Sequence, residues 1–148
     1  MRLLLDTNGL IDYYGRREPF VEDWKQLRTM HLFGDAELWV SAKSFTDVFY
    51  VLSKVIEPDR LQGAFVKSLD FLNVCAIDGS DIERAARRAW PDFEDFLVNE
   101  AARKVRADAI ITRDVKGFAE SKIPCFTPRE FFAWLKRERG LEYGEERL

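Results

Sequence analysis

Two acidic residues stand directly behind short apolar runs. Asp6 follows Leu3-Leu4-Leu5 and opens Asp6-Thr7-Asn8; Asp114 follows Ala109-Ile110-Ile111 and closes Thr112-Arg113-Asp114. In an open α/β sheet the crevice beyond the carboxyl ends of the strands is where ligands bind, so a polar residue in such a position is a candidate for function. Either Asp alone reads equally well as the cap of the next helix or turn, and the repetition of the arrangement weakens that reading. Asp92, Asp95 and Asn99 add a second signal, because their spacing of i, i+3, i+7 puts them on one helix face while Phe93, Phe96 and Leu97 point elsewhere. That stripe is a solvated face with Asp near the positive helix end, or it lines a metal site. Asp47 is the sole acid in the run from Ser44 to Leu52, and it is either a dipole or capping group or a member of the same site.

Carboxylates that converge repel one another and rise in pKa unless a cation joins them. An all-oxygen set suits Mg²⁺ or Mn²⁺, which commonly bind through a few carboxylates together with substrate phosphates. Such an ion can polarise a phosphate, activate a water and stabilise a leaving oxygen, so no protein nucleophile is required.

The elements that must position these acids alternate along the chain. Leu3 to Leu5, Glu37 to Val40, Asn73 to Ile77, Asp108 to Thr112 and Pro124 to Phe126 have the short apolar character of buried strands. Between them, helical spacing appears at Phe20, Trp24 and Leu27; at Phe45, Val48, Phe49, Leu52 and Val55; at Leu61, Phe65, Leu69 and Leu72; and from about Asp92 to Val105. Ser80-Asp81-Ile82-Glu83 and Thr127-Pro128-Arg129-Glu130 match the capping box at helix starts. The alternation predicts an α/β fold with a mostly parallel sheet of about five strands and helices on both faces. No repeat or linker interrupts residues 1–135, and residues 136–148 form a charged tail with Gly140 and Gly144.

Composition narrows the function classes. With 148 residues, 47% of them apolar and 33% charged, the chain has enough material for one core without staples. No apolar stretch approaches the roughly 18 residues of a membrane span, and the apolar run before Asp6 is too short for a signal peptide, so a cytoplasmic protein is expected. Cys75 and Cys125 lie in apolar segments and read as core thiols. The single histidine, His31, has no cysteine pair near it, which argues against nitrogen and sulfur zinc sites and leaves a surface or helix-end residue. A net charge of −3 does not advertise a nucleic-acid binder, so any RNA contact must come from basic residues placed locally. Arg16 and Arg17, Arg103, Lys104 and Arg106, and Arg113 with Lys116 are the candidates, each of which also reads as a solvated face. Two rival chemistries fit poorly. A haloacid-dehalogenase-type phosphatase resembles Asp-x-Asp at this point, where the chain has Asn8, and a nucleotide-binding loop would want more glycine than Thr7-Asn8-Gly9-Leu10 offers.

Taken in order, Leu3 to Asn8, Ser41 to Leu52, Asp92-Phe93-Glu94-Asp95 with Ala101-Ala102, Ala107 to Asp114, Phe118, and Ile123 to Phe132 resemble the PIN-domain family, and within it the VapC-type toxins of toxin-antitoxin pairs. The resemblance covers residue 2 to about 135. It implies a three-layer α/β/α fold and a Mg²⁺- or Mn²⁺-dependent endoribonuclease in which Asp6, Asp47, Asp95 and Asp114 hold the metal. It further implies that Asp92 is an auxiliary acid and that Asn8 and Thr112 support Asp6. A homodimer and an inhibitory antitoxin are the partners it suggests, besides the RNA substrate. Asp47 stands where the family usually has Glu, and the alternative this motivates is a PIN-like scaffold without catalysis, serving as a binding or assembly module.

Overall fold

Leu3, Leu4 and Leu5 are all buried, a pattern that only a strand covered on both faces allows. The computed structural model describes residues 1–143. Its strands are β1 (Arg2–Leu5), β2 (Glu37–Ser41), β3 (Leu72–Cys75), β4 (Ala109–Ile111) and β5 (Cys125–Phe126), and they form one parallel sheet in the order β3-β2-β1-β4-β5. In register, Leu4 of β1 lies between Trp39 of β2 and Ile110 of β4. The helices are α1 (Thr7–Tyr14), α2 (Phe20–Leu32), α3 (Ala42–Leu52), α4 (Pro58–Ser68), α5 (Gly79–Arg88), α6 (Phe93–Lys104) and α7 (Pro128–Arg139).

Successive strand residues point to opposite faces, and the core divides accordingly. Leu3, Leu5, Leu38, Val40, Ala109 and Ile111 pack on one side with Leu10, Leu27, Val48, Leu52 and Phe131 from α1, α2, α3 and α7. Leu4 and Ile110 face the other way, onto Val98, Ala101, Ala102 and Val105 of α6 and its C-terminal cap. The result is a three-layer α/β/α arrangement. Because β2 and β3 extend from one side of β1 while β4 and β5 extend from the other, the chain reverses its winding between β1 and β4. The crevice at that reversal is where open α/β sheets place ligands. Gly9 fixes α1 against α2, since a Cβ there would meet the Trp24 ring at 2.1 Å.

Several boundaries differ from expectation for identifiable reasons. The apolar period at Leu61, Phe65, Leu69 and Leu72 outlasts α4, because Leu72 already belongs to β3. The capping box expected at Ser80 sits two residues earlier: Asp78 is the cap, its Oδ1 accepting the amides of Ser80 and Asp81, while Asp81 reaches back to the Asp78 amide. The box at Thr127 and Glu130 forms as expected. His31 ends α2, with Nδ1 at 3.0 Å from the Ala36 carbonyl oxygen. Both cysteines are free thiols. Residues 136–139, placed in the charged tail by sequence, continue α7 to its left-handed Gly140 cap, and Tyr143 donates to Asp35 Oδ2 at 2.6 Å. The rest of that tail, residues 144–148, lies outside the described residues.

Candidate active site

The end of β1 is tied to the end of β4 where the Asp6 amide donates to the Ile111 carbonyl at 3.0 Å. Asp6 then turns the chain into α1. Its Oδ1 accepts the Thr7 amide at 2.7 Å, so Asp6 is a helix cap, as the simpler reading held. Its other oxygen, Oδ2, accepts the Thr112 hydroxyl at 2.8 Å. Thr112 is fully buried, and its oxygen also receives the Asp114 amide at 3.0 Å and the Asn8 side-chain amide at 3.3 Å. One hydroxyl thus fixes Asp6, Asn8 and the backbone of Asp114 relative to one another. A hydrogen bond of 2.8 Å between Thr7 Oγ1 and Ser44 Oγ adds α3 to the assembly.

Asp95 arrives from the opposite layer. Asp92 caps α6 by accepting the Asp95 amide at 2.9 Å, which places Asp95 in the first helical turn. Asp114 caps the 3-10 turn Val115–Phe118, accepting the Gly117 amide at 3.3 Å. A Cβ on Gly117 would stand 2.6 Å from Asp95 Oδ2 and 2.9 Å from Asp114 Oδ2, so both carboxylates reach into the space that the glycine leaves open.

The electrostatics bind these acids into one group. Burial pushes the Asp6 carboxyl up to about 6; its bonds from Thr112 and Thr7 oppose this, and the charges of Glu94 and Asp114 reinforce it. Asp95 is pushed up to about 7, first by burial and then by the charges of Asp92, Asp6, Asp114 and Glu94. Four acids beside Asp95 with no side-chain cation among the causes of its shift describe an anionic pocket that favours a cation. Glu94 was not singled out in the sequence, because the face was traced through Asp92, Asp95 and Asn99. Asn99 instead accepts from the Ser121 hydroxyl at 2.6 Å.

Asp47 behaves differently. Its Oδ2 pairs with Lys43 Nζ at 2.7 Å, one helical turn away, and it is not among the acids that press most strongly on Asp6 or Asp95. Arg113, read as an RNA contact, holds the buried Asp12 with Nε at 2.5 Å from Oδ2, and its guanidinium lies 4.5 Å from the Phe20 ring centre. Asp12 carried the signal used for Asp47, an acid in the apolar run Leu10-Ile11-Asp12-Tyr13-Tyr14. Arg103 is engaged with Glu100 at 2.9 Å. Arg16, Arg17 and Lys116 are exposed, and no carboxylate pairs with them among the described residues.

Among the described residues no three carboxylate, histidine or cysteine side chains stand close enough together to ligate one ion. A hard divalent cation held through one or two carboxylates, waters and substrate phosphates does not require such a closed shell. The donors at hand are all oxygens, with glycine-made room between Asp95 and Asp114, and they fit Mg²⁺ or Mn²⁺.

A sequence model of the PIN domain matches residues 2–116, and the chain belongs to the PIN-domain family. Curated protein sequences yield no match. Among solved structures, VapBC2 from Rickettsia felis bound to a DNA fragment from its promoter aligns with a TM-score of 0.65 at 14% identity, covering 86% of this chain and 98% of that one. FitAcB from Neisseria gonorrhoeae aligns with a TM-score of 0.63 at 16% identity, covering 86% and 98%. A toxin-antitoxin complex from Klebsiella pneumoniae aligns with a TM-score of 0.59 at 26% identity, covering 85% and 97%. The first two likenesses are of fold alone.

Proposed function

We propose that this protein is a Mg²⁺- or Mn²⁺-dependent endoribonuclease acting as the toxin of a toxin-antitoxin pair. The observation that carries the reading is the approach of Asp95 and Asp114 to the space over Gly117, beyond the end of β4, with the charge of Asp6 also pressing on Asp95. Membership of the PIN-domain family and the likeness to toxin-antitoxin complexes support it.

In this reading Asp95 and Asp114, which meet over Gly117, would hold the ion directly, with Asp6 reaching it through water, Asp92 as an auxiliary acid and Asp47 acting from further out. When bound, the ion supplies charge to the phosphate and lowers the pKa of an attacking water. Thr112 and Asn8 keep Asp6 in its orientation, as hydrogen-bond partners behind metal ligands commonly do. Asp95, raised to about 7, is part-protonated near neutrality without a cation and becomes fully ionised once one is present. Lys116, exposed two residues after Asp114, is available for phosphate contact, and Arg17 is exposed beyond the far end of α1, whereas Arg113 serves chiefly to brace α1 and α2 through Asp12 and Phe20. An antitoxin and a second copy of the chain are the proposed protein partners. No helix among the described residues is long and apolar enough to cross a membrane.

The test is cleavage of an unstructured RNA pool by purified protein in Mn²⁺, with EDTA and Asp6→Asn as controls. Cleavage that disappears in both controls supports the nuclease and its site. The second reading, a PIN scaffold without catalysis, draws on the Lys43 pairing of Asp47. Absence of cleavage under every metal tried would favour it.

A further inference from the structure

The segment that carries Asp114 is held to α1 at two points. Asn8 and Asp12 stand one helical turn apart and share a face of α1. Asn8 grips the backbone and a hydroxyl: its Oδ1 accepts the Arg113 amide at 3.4 Å, and its Nδ2 donates to Thr112 Oγ1 at 3.3 Å. Asp12 takes the side chain, with Oδ2 at 2.5 Å from Arg113 Nε and Oδ1 accepting Nη2 at 3.2 Å, so that the carboxylate meets the guanidinium as a fork. The Phe20 ring of α2 lies against the same guanidinium, its centre 4.5 Å away. Thr112 and Asp114 turn elsewhere: Thr112 Oγ1 donates to Asp6, and Asp114 reaches the space over Gly117 beside Asp95. An arginine drawn to one side fixes the rotation of the backbone on which both of its neighbours are mounted.

Stability alone is a weak reason for this pair. Asp12 is fully buried, and taking a carboxylate wholly out of water costs about as much as its attraction to a cation returns, so an apolar contact would join α1 to the end of β4 equally well. What the fork adds is direction, because a planar guanidinium presents its N–H groups in a fixed geometry. The pairs of Glu22 with Lys25 and of Glu83 with Arg87 each lie within one helix and orient nothing beyond it. Asp12 and Arg113 are 101 residues apart, and the residue after Arg113 is Asp114. The charge of Arg113 is spent on Asp12, for it is not among those that weigh most on Asp6 or Asp95.

We infer that Asp12 is a positioning residue, which through Arg113 sets the direction of the Asp114 carboxylate in the acidic pocket. That this carboxylate then meets a metal ion rests on the proposed function, whereas the link from Asp12 to Asp114 does not.

The experiment reads the two separately. Mn²⁺ binding at pH 8, well below every melting temperature, is followed by loss of the electron paramagnetic resonance signal of the free ion. The proteins are the wild type, Asp12→Asn, Arg113→Lys, the double variant Asp12→Asn/Arg113→Gln, and Asp81→Asn, which breaks a buried pair between α5 and α6. In the metal-free proteins the NMR resonance of the Gly117 amide, which donates to Asp114 Oδ1 at 3.3 Å, reports where that carboxylate points. The Kd for Mn²⁺ is expected to rise ~10-fold in Asp12→Asn and in Arg113→Lys, as when the partners behind a metal ligand are removed. The double variant should be no more than about twofold weaker than either single one, since all three lose the same link. Asp81→Asn should bind like the wild type, and the Gly117 resonance should move in the Asp12 and Arg113 variants alone. Cleavage by Asp12→Asn should recover as Mn²⁺ is raised. An unchanged Kd in folded Asp12→Asn and Arg113→Lys would overturn the inference, as would an unmoved Gly117 resonance or an equal loss of affinity in Asp81→Asn. A Gly117 resonance that moves as expected in a protein whose wild type binds no Mn²⁺ would uphold the link and sink only the metal and nuclease reading. Arg113→Lys keeps a cation opposite Asp12 and carries the test if Asp12→Asn does not fold, which circular dichroism melts decide.

Discussion

Two parts of this molecule bury carboxylates and treat them oppositely. Between α5 and α6, Asp81 is fully buried and Glu100 nearly so. Burial pushes both up, yet Lys104 and the Asp78 amide on Asp81, and Arg103 and Arg84 on Glu100, outweigh it and hold them below their ordinary values. At the ends of β1 and β4, Asp6 and Asp95 meet hydroxyls, amides and other acids, and they rise to about 6 and about 7. The first cluster is neutralised by the chain itself. The second has no side-chain cation among the causes of its shifts, and a charge left unmatched in this way is what marks a candidate site apart from a structural ion-pair network.

The contrast can be broken from either side. Asp95→Asn should cut Mn²⁺-dependent RNA cleavage by ~10³-fold, the equivalent of several kcal/mol of charge stabilisation. The same substitution should raise the metal-free Tm at pH 8 by about 3 °C, because it removes a repelling charge worth roughly 1 kcal/mol after allowing for partial exposure. A melt and a rate measurement on one preparation check both, and a drop in Tm would mean that Asp95 is a structural acid. Asp81→Asn should do the reverse. It leaves Lys104 and Arg84 facing a neutral group and should cost about 2 kcal/mol, less than a wholly buried pair because both cations are part exposed. That corresponds to a fall in Tm of about 4–8 °C, with kcat unchanged.

Acidity offers a finer test, since the two clusters contribute to stability with opposite signs. Asp6 and Asp95 hold protons in the folded chain that the unfolded chain releases near pH 4, so their contribution is present at low pH and is lost as pH rises through about 6 and 7. Asp81 and Glu100 contribute above their unfolded pKa values and lose that contribution as pH falls. Metal-free Tm should therefore decline from pH 5 to pH 8, and Mn²⁺ should reverse the decline. At 100 times its Kd the ion adds about 2.7 kcal/mol at pH 8 and far less at pH 5, where the acids are protonated. A Tm insensitive to Mn²⁺ at pH 8 would remove the ion from the pocket.

The acidic side of this contrast was legible in the sequence; the Asp81 and Glu100 cluster was not. Asp6 and Asp114 stood out because a buried strand ends directly before each, and the alternation of strands and helices gave the three layers. Asp95 was visible from its spacing to Asp92. What remained hidden depended on partners distant along the chain. The Asp12 to Arg113 pair spans 101 residues, and nothing local to Arg113 shows that its charge is already spent. The pairing of Asp47 with Lys43 is local, at i+4, but an acid in an apolar run draws attention to itself and away from a lysine one turn earlier. The displaced capping box shows a third limit. Asp78 and Ser80 are both good caps, and the choice was made by the depth at which Asp81 is buried, a tertiary quantity.

Gly117 shows how narrowly the pocket is drawn. Its backbone is not in the left-handed region, which is occupied among the described glycines by Gly34 and Gly140, so conformation alone would admit alanine there. The obstacle is volume: one methyl group would stand against the oxygens of Asp95 and Asp114 at once. The aperture between two layers of the fold is thus set by a missing carbon atom, and the freedom of this protein to vary at position 117 is governed by two side chains that belong to other parts of the site.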